Sequence, residues 1–424
     1  MRNMPHDFNK TVLDNSIRIV TKHVPQARSV AMGVWVNVGA RDEKAEEGGL
    51  SHFIEHMIFK GTERRTALQI AKEFDAIGGQ CNAFTSKENT CYYAKVMDTH
   101  VDTMVDLLSD IFLNSAFDPD EVERERRVIL QEIKMLEDTP DEHIHVLLAQ
   151  AVWGSHPLGR SILGTPETVI RFDSDTLKEY FSRAYQPERI VIAAAGNLEH
   201  GSFEESIARA FEVVRKGDHF AERTKPTMDW VATAHPKDLE QVHICLGSKG
   251  VHTTDPRRHA CVLLNVVLGG NMSSRLFQEI RERRGLAYSI FSFASSYSDT
   301  GLLGVYVGVD KSNTQEVLRL IVKEIRRLKE KPINGSELRN AKEHLKGGVY
   351  LAAESTDNQM TRLAHNEINF GRHIPLEELV HSIEKVTAED ILRLAQETCQ
   401  DKAVSLALLG PIDEKESYEE ILSL

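Results

Sequence analysis

The chain has 424 residues, 41% of them hydrophobic and 27% charged, the balance of a soluble globular protein, and at about 150 residues per domain it predicts two or three domains. Its 51 Lys and Arg against 64 Asp and Glu leave a net charge of -13, which argues against a sequence-independent grip on nucleic-acid phosphates or anionic lipid. No apolar run reaches the ~18 residues that span a bilayer, the start at Met1–Lys10 lacks an apolar export core, and the five cysteines are odd in number without a CxxC. The expectation is a cytoplasmic protein with no disulfide framework and no cysteine-ligated zinc.

In chain order, Val30, Met32, Val34, Val36 and Val38 alternate as a strand. The run Ser51 to Phe59 reads as an apolar helix, and Cys81–Thr85 and Thr90–Val96 as two strands joined by the polar turn Ser86-Lys87-Glu88-Asn89. A strand ending at Asp98 leads into an amphipathic helix through Val101, Met104, Val105, Leu108, Ile111 and Phe112. Asp118-Pro119-Asp120-Glu121 supplies an N-cap, a proline at the first helical position and an acid at the third, opening a helix through Val122, Val128, Ile129, Ile133 and Leu136. The first half closes with a buried strand, Ile190–Ala195, running into Gly196.

The second half repeats the order. Val242, Ile244 and Leu246 precede a helix from Pro256 to Leu268, a strand ending at Asp310 leads into Val317, Leu320, Ile321, Ile325 and Leu328, and Val404–Leu409 runs into Gly410. Asp98 and Asp310 are 212 apart, and Gly196 and Gly410 are 214 apart. Two markers at nearly one offset predict an internal duplication: two homologous α+β domains, each a mainly antiparallel sheet covered by helices. The boundaries expected are 1–216, a polar linker at 217–238 carrying Pro226 and Pro236, and 239–424.

On the first of these helices His52, Glu55 and His56 stand at i, i+3 and i+4, hence on one face. Two imidazoles one turn apart can bind one Zn2+, and a carboxylate beside them can accept a proton from water that the metal activates. A half-buried helix with a hydrogen-bonded histidine pair fits the same five residues. A catalytic zinc takes a third protein ligand. Glu125 and Glu132 lie two turns apart on the helix that follows Asp118, and Glu132 is flanked by Leu130, Ile133 and Met135. A carboxylate turned toward a buried side needs a cation, so Glu132 is the expected third ligand and Glu125 the residue that orients a histidine; a solvated surface acid is the alternative.

The segment Gly49-Leu50-Ser51-His52-Phe53-Ile54-Glu55-His56-Met57-Ile58-Phe59-Lys60-Gly61-Thr62 resembles the signature of the inverzincin peptidases, the pitrilysin and insulin-degrading-enzyme group. Gly78 to Thr90 and Gly269 to Tyr288 are similar too, and the likeness spans nearly the whole chain, in length closest to the short, processing-peptidase-like branch. The resemblance implies a zinc metalloendopeptidase with His52, His56 and Glu132 as ligands and Glu55 as general base. It implies that Asn82, Ala83, Phe84 and Thr85 form a sheet edge that pairs with an extended peptide, where the residues alone fit an ordinary buried hairpin equally well. It further implies that Arg281 and Tyr288 donate hydrogen bonds to the substrate carbonyl, against a surface arginine and a core tyrosine. Peptides or unfolded polypeptides are the implied substrates, and a homodimer forming a two-chain clamshell with composite active sites the implied assembly. Shifting by the repeat takes His52, Glu55 and His56 to Asn265, Leu268 and Gly269, so the second copy carries no ligands. The rival expectations are a non-catalytic scaffold or processing partner of the same fold, and a metallohydrolase acting on non-peptide substrates.

Overall fold

The computed structural model describes residues 8–214, 222–400, 403–413 and 418–422; the part of the expected linker at 217–221 lies outside the described residues. The first sheet contains β1 (Phe8–Val12), β2 (Arg18–His23), β3 (Ser29–Val36), β4 (Gln80–Thr85), β5 (Thr90–Met97) and β6 (Ile190–Gly196), in the order β1-β2-β6-β3-β5-β4. Its neighbours are antiparallel except β2 and β6. The second contains β7 (Ala232–Pro236), β8 (Val242–Lys249), β9 (Ala287–Ser296), β10 (Gly301–Val309) and β11 (Val404–Gly410), in the order β7-β11-β8-β10-β9, with β7 and β11 as its parallel pair. Without β1, the two sheets correspond strand for strand, down to the position of the parallel pair. The duplication expected from the two offsets is therefore a duplication of topology, in two α+β domains with mainly antiparallel sheets.

Central strands are apolar on both faces. All of β6 and β11 is buried, as is β3 beyond its first residue, and such strands need cover on each side. One side of the first sheet rests on a core that includes Phe53, Ile54 and Met57 of the Leu50–Met57 helix, Leu108 and Phe112 of the Val101–Leu113 helix, and Ile129 and Ile133. The other side, through Val20, Ala31, Trp35, Val191, Ala193 and Ala195, is covered by Met360, Leu363 and Ala364 of the Thr356–Phe370 helix. The Trp35 indole N–H points at the Met360 sulfur at 3.2 Å, and Lys95 pairs with Asp357 at 2.6 Å. Gly33 permits this approach, since a Cβ there would lie 2.8 Å from that sulfur. In the second sheet the matching cover comes from the Pro140–Trp153 helix, whose Ile144, Leu147, Leu148 and Trp153 pack with Cys245, Leu302, Tyr306, Ala407 and Leu409.

The compact units accordingly interleave in sequence. One draws on residues up to Lys134, Ser161–Arg223 and Leu351–Ile374; the other on Met135–Arg160, Thr224–Tyr350 and residues from Pro375 onward. The boundaries read from the sequence follow the duplicated pattern, whereas packing assigns one helix of each half to the sheet of the other. No helix among the described residues is long and apolar enough to cross a membrane.

Two outcomes follow from this packing. Leu363 is 1% exposed, so Leu363→Ala should destabilise the protein by about 2–5 kcal/mol in urea unfolding, although the sheet it covers is built from the distant first half of the chain. An unchanged midpoint would refute this helix as cover for the first sheet. In the second unit burial holds His145, His235 and His243 below the ordinary imidazole value, with Asp141 opposing the shift at His145 and His243, and burial together with Arg258 brings His259 down to about 4. An unfolded chain regains the ordinary value of 6.5 and binds more protons between 6.5 and about 4, so stability is present above that window and falls as pH drops through it. Thermal unfolding followed from pH 7 downward checks this, and a flat melting temperature would refute it.

Candidate metal centre

The Leu50–Met57 helix starts after Gly49, whose φ of +98° is the left-handed conformation and where a Cβ would sit 2.7 Å from the Leu163 carbonyl oxygen. Leu50, Phe53, Ile54 and Met57 enter the core, which turns His52, Glu55 and His56 together to the opposite side. The facing helix, Pro119–Glu137, opens as its sequence requires, with the Asp118 carboxylate accepting the N–H groups of Asp120 at 2.9 Å and Glu121 at 3.2 Å. Val122, Ile129 and Ile133 anchor it, and Glu125 is buried with them.

The two helices converge on one point. Glu132 Oε2 lies 3.6 Å from His52 Nε2 and 3.4 Å from His56 Nε2. His52, His56 and Glu132 offer one ligand atom each within 4.8 Å of one another, and no other such group of three occurs among the described residues. Met135, one of the apolar flanks from which a buried direction was inferred for Glu132, is exposed. The Glu132 oxygen is buried nonetheless, with the histidine pair across from it.

Glu132 Oε2 is buried without a hydrogen-bond donor among the described residues. Burial, reinforced by the neighbouring His56, pushes the His52 imidazole down to about 3, so it is neutral near pH 7 and has a lone pair to give. His56 Nδ1 lies 3.0 Å from Glu125 Oε2, and Glu125 Oε1 lies 2.6 Å from Lys60 Nζ. The Nδ1–H therefore donates to Glu125, leaving the Nε2 lone pair toward Glu132. The His56 lone pair, the Glu132 oxygen and a neutral His52 imidazole meet at one point, an electron-rich cluster that a cation would relieve. This donor set of two nitrogens and one oxygen suits Zn2+. Lys60 was not singled out from the sequence; its spacing of four residues from His56 was the available signal.

Glu55 stands beside the triad. Burial raises its carboxyl above the usual range, Thr85 opposes this through hydrogen bonds from its side chain and backbone, and Glu132 adds to the rise. Glu55 Oε2 is buried without a donor among the described residues.

Asn82, Ala83, Phe84 and Thr85 form β4, which pairs with β5 on one side and closes the sheet as its outer strand. Exposed and half-buried residues alternate along it, and it contacts the Leu50–Met57 helix. It is a sheet edge rather than a buried hairpin. The Ala83 N–H bonds to its neighbour Asn82 Oδ1 at 2.8 Å.

Arg281 and Tyr288 lie in the second unit. Arg281 belongs to the π-type helix Phe277–Glu282, and its guanidinium stacks over the rings of Phe277 at 4.7 Å and Tyr288 at 4.8 Å. Tyr288, on β9, is 80% exposed and is thus no core tyrosine. In the second copy Leu268 is a core residue, and a Cβ on Gly269 would strike the Ser292 backbone nitrogen at 2.5 Å.

Against known proteins, the family model described as insulinase, peptidase family M16, matches residues 18–166, and that of the peptidase M16 inactive domain matches residues 171–345. A Bacillus subtilis protein named as an uncharacterized zinc protease is 43% identical, over 94% of this chain and 97% of its own. One so named from Streptomyces coelicolor is 38% identical, over 96% and 90%. The crystal structure of a protease from Helicobacter pylori shares the fold with a TM-score of 0.88 at 22% identity, covering 95% of this chain and 99% of that one. A Pseudomonas fluorescens structure titled peptidase M16 inactive domain does so with a TM-score of 0.89 at 18% identity, covering 97% and 100%. With both domain models matching in order and relatives similar along nearly their whole length, this chain belongs to the insulinase family of peptidases, family M16.

Proposed function

We propose that the chain is a zinc-dependent endopeptidase acting on peptides bound in extended form. The observation that carries this reading is the convergence of His52, His56 and an undonated Glu132 oxygen beside a carboxyl raised by burial. His52, His56 and Glu132 would hold Zn2+, which supplies Lewis-acid polarisation and makes water a nucleophile near neutral pH. Glu55 takes the proton of the attacking water and passes it to the leaving amine; its raised affinity for a proton suits an acceptor that must later donate. Glu125, itself held by Lys60, keeps the His56 ring in the tautomer that faces the centre.

The substrate backbone pairs with the free edge of β4, with Asn82 and Ala83 beside the scissile bond and Phe84 and Thr85 continuing the track. Recognition is then of main chain rather than of side-chain identity, which fits peptides and unfolded polypeptides. Arg281 and Tyr288 hydrogen-bond the developing oxyanion. The exposure of Tyr288 and the stacked, pre-ordered guanidinium of Arg281 support a role outward from their own unit. In this reading they come from a second copy of the chain, in a cytoplasmic homodimer built as a two-chain clamshell. The complete ligand set and base disfavour a scaffold, in which they would be free to disappear.

The Glu55→Gln protein should bind Zn2+ as wild type does and lose about 100- to 10,000-fold in turnover of a quenched peptide. Wild-type turnover by the zinc-loaded variant would rule out Glu55 as base. Mixing Glu55→Gln chains with Arg281→Ala chains should recover activity that neither has alone, because each mixed dimer regains one intact site. No recovery despite proven chain exchange would remove the composite site.

A further inference from the structure

The Leu50–Met57 helix has no side-chain N-cap of its own, because Gly49 occupies that position. A helix of eight residues with unsatisfied N–H groups at its start has little to hold it in register. The missing acceptor comes from six residues upstream. The Gly49 N–H donates to Glu43 Oε2 at 2.8 Å and the Ser51 N–H to Glu43 Oε1 at 2.7 Å, so one carboxylate straddles the turn that leads into His52. Glu43 is 3% exposed, and charge-assisted bonds to backbone N–H groups in such surroundings are strong and directional. Ser51 is fixed further by its hydroxyl, 3.0 Å from the Tyr180 hydroxyl.

The segment that carries Glu43 is itself tied to the strand edge. The Ala40 N–H donates to the Ser86 carbonyl at 3.1 Å and the Arg41 N–H to the Lys87 carbonyl at 2.7 Å, both in the β4–β5 turn. Arg41 pairs with Glu88 at 2.6 Å with both residues buried. Arg223 holds Asp42 through two bonds, at 2.8 and 2.7 Å, and donates to the Glu88 carbonyl at 2.8 Å. The turn closing the outer strand and the first turn of the histidine helix thus meet in one segment, Ala40 to Glu43, in which Ala40, Arg41 and Glu43 are buried.

Resting on the peptidase reading above, we propose that Glu43 is a positioning residue: it sets the register of the helix bearing His52, Glu55 and His56 against the β4 edge. It touches neither substrate nor metal. Its effect is geometric, because a displacement of the helix start moves His52 and Glu55 together, and misplacements near 1 Å in a reacting constellation cost on the order of 100-fold.

The full chain is tested as Glu43→Gln and Glu43→Asp, with Ile391→Val in the second core as a variant that lowers stability elsewhere. Gln keeps one acceptor but turns an N–H toward the other backbone N–H; Asp keeps both acceptors on a shorter stem. Zn2+ affinity by chelator competition should fall about tenfold in Glu43→Gln, and the visible absorption bands of the Co2+-substituted protein should shift. Turnover per bound metal should fall about 10- to 100-fold with KM nearly unchanged, and Glu43→Asp should lie between this variant and wild type. Ile391→Val should lower the melting temperature without moving either metal readout. Wild-type Zn2+ affinity and Co2+ spectrum in the folded Glu43 variants would overturn the assignment whatever happens to turnover. Should Glu43→Gln not fold, Glu43→Asp carries the same three readouts. If wild-type protein binds Zn2+ but cleaves no peptide, the peptidase reading falls while affinity and spectrum still decide the role of Glu43.

Discussion

Two imidazole nitrogens and a carboxylate oxygen held within reach of a single point, with no donor for that oxygen, form an arrangement that costs free energy by itself. The His56 lone pair faces the carboxylate oxygen, one imidazole is buried too deeply to take a proton near pH 7, and the relief available is a cation. The surrounding fold holds this frustrated cluster together. The apolar side of the Leu50–Met57 helix is sunk into the first core through Phe53, Ile54 and Met57, and the facing helix is anchored by Val122, Ile129 and Ile133. Neither helix can rotate to relax the cluster without exposing that apolar surface.

Around the cluster the polar groups form chains rather than isolated pairs. Lys60, Glu125 and His56 make one, which fixes a ring tautomer. Arg41, Glu88, Asp42 and Arg223 make another, which fixes the turn beside Glu43. Charges withdrawn from water are costly unless paired, and the value of these chains is geometric definition. Glu55 belongs to neither chain and has one oxygen without a donor among the described residues and a carboxyl raised by burial, as befits a group whose proton content changes in the proposed reaction.

The duplication shows how one topology serves two ends. Both sheets share strand order and the placement of the parallel pair, yet where the first copy has His56 the second has Gly269, whose close approach to Ser292 leaves no room for a side chain. The equivalent helix in the second copy is packed as core. A histidine pair with its facing carboxylate confined to one copy is hard to explain as a packing requirement of the unit, since the other copy packs without it.

Local periodicity was enough to read the elements near the site. The i, i+3, i+4 spacing of His52, Glu55 and His56, the Asp118-Pro119 helix start, and the two offsets of the repeat are properties of short segments, and backbone geometry leaves them little choice. The sequence also placed Glu132 with the histidines, although its apolar flanks were a poor guide, since Met135 is exposed. Three things only the tertiary structure decided. The Pro140–Trp153 and Thr356–Phe370 helices each cover a sheet drawn mainly from the opposite half of the chain, because an apolar stripe announces that a helix must be buried but not where. Lys60 meets Glu125 only once the chain is folded, and Glu43, although near in sequence to the helix start it accepts from, is brought onto it by an irregular turn whose path periodicity does not report. The outer position of β4 depends on which strands pair, and alternation along a strand reports its two faces but not its two edges.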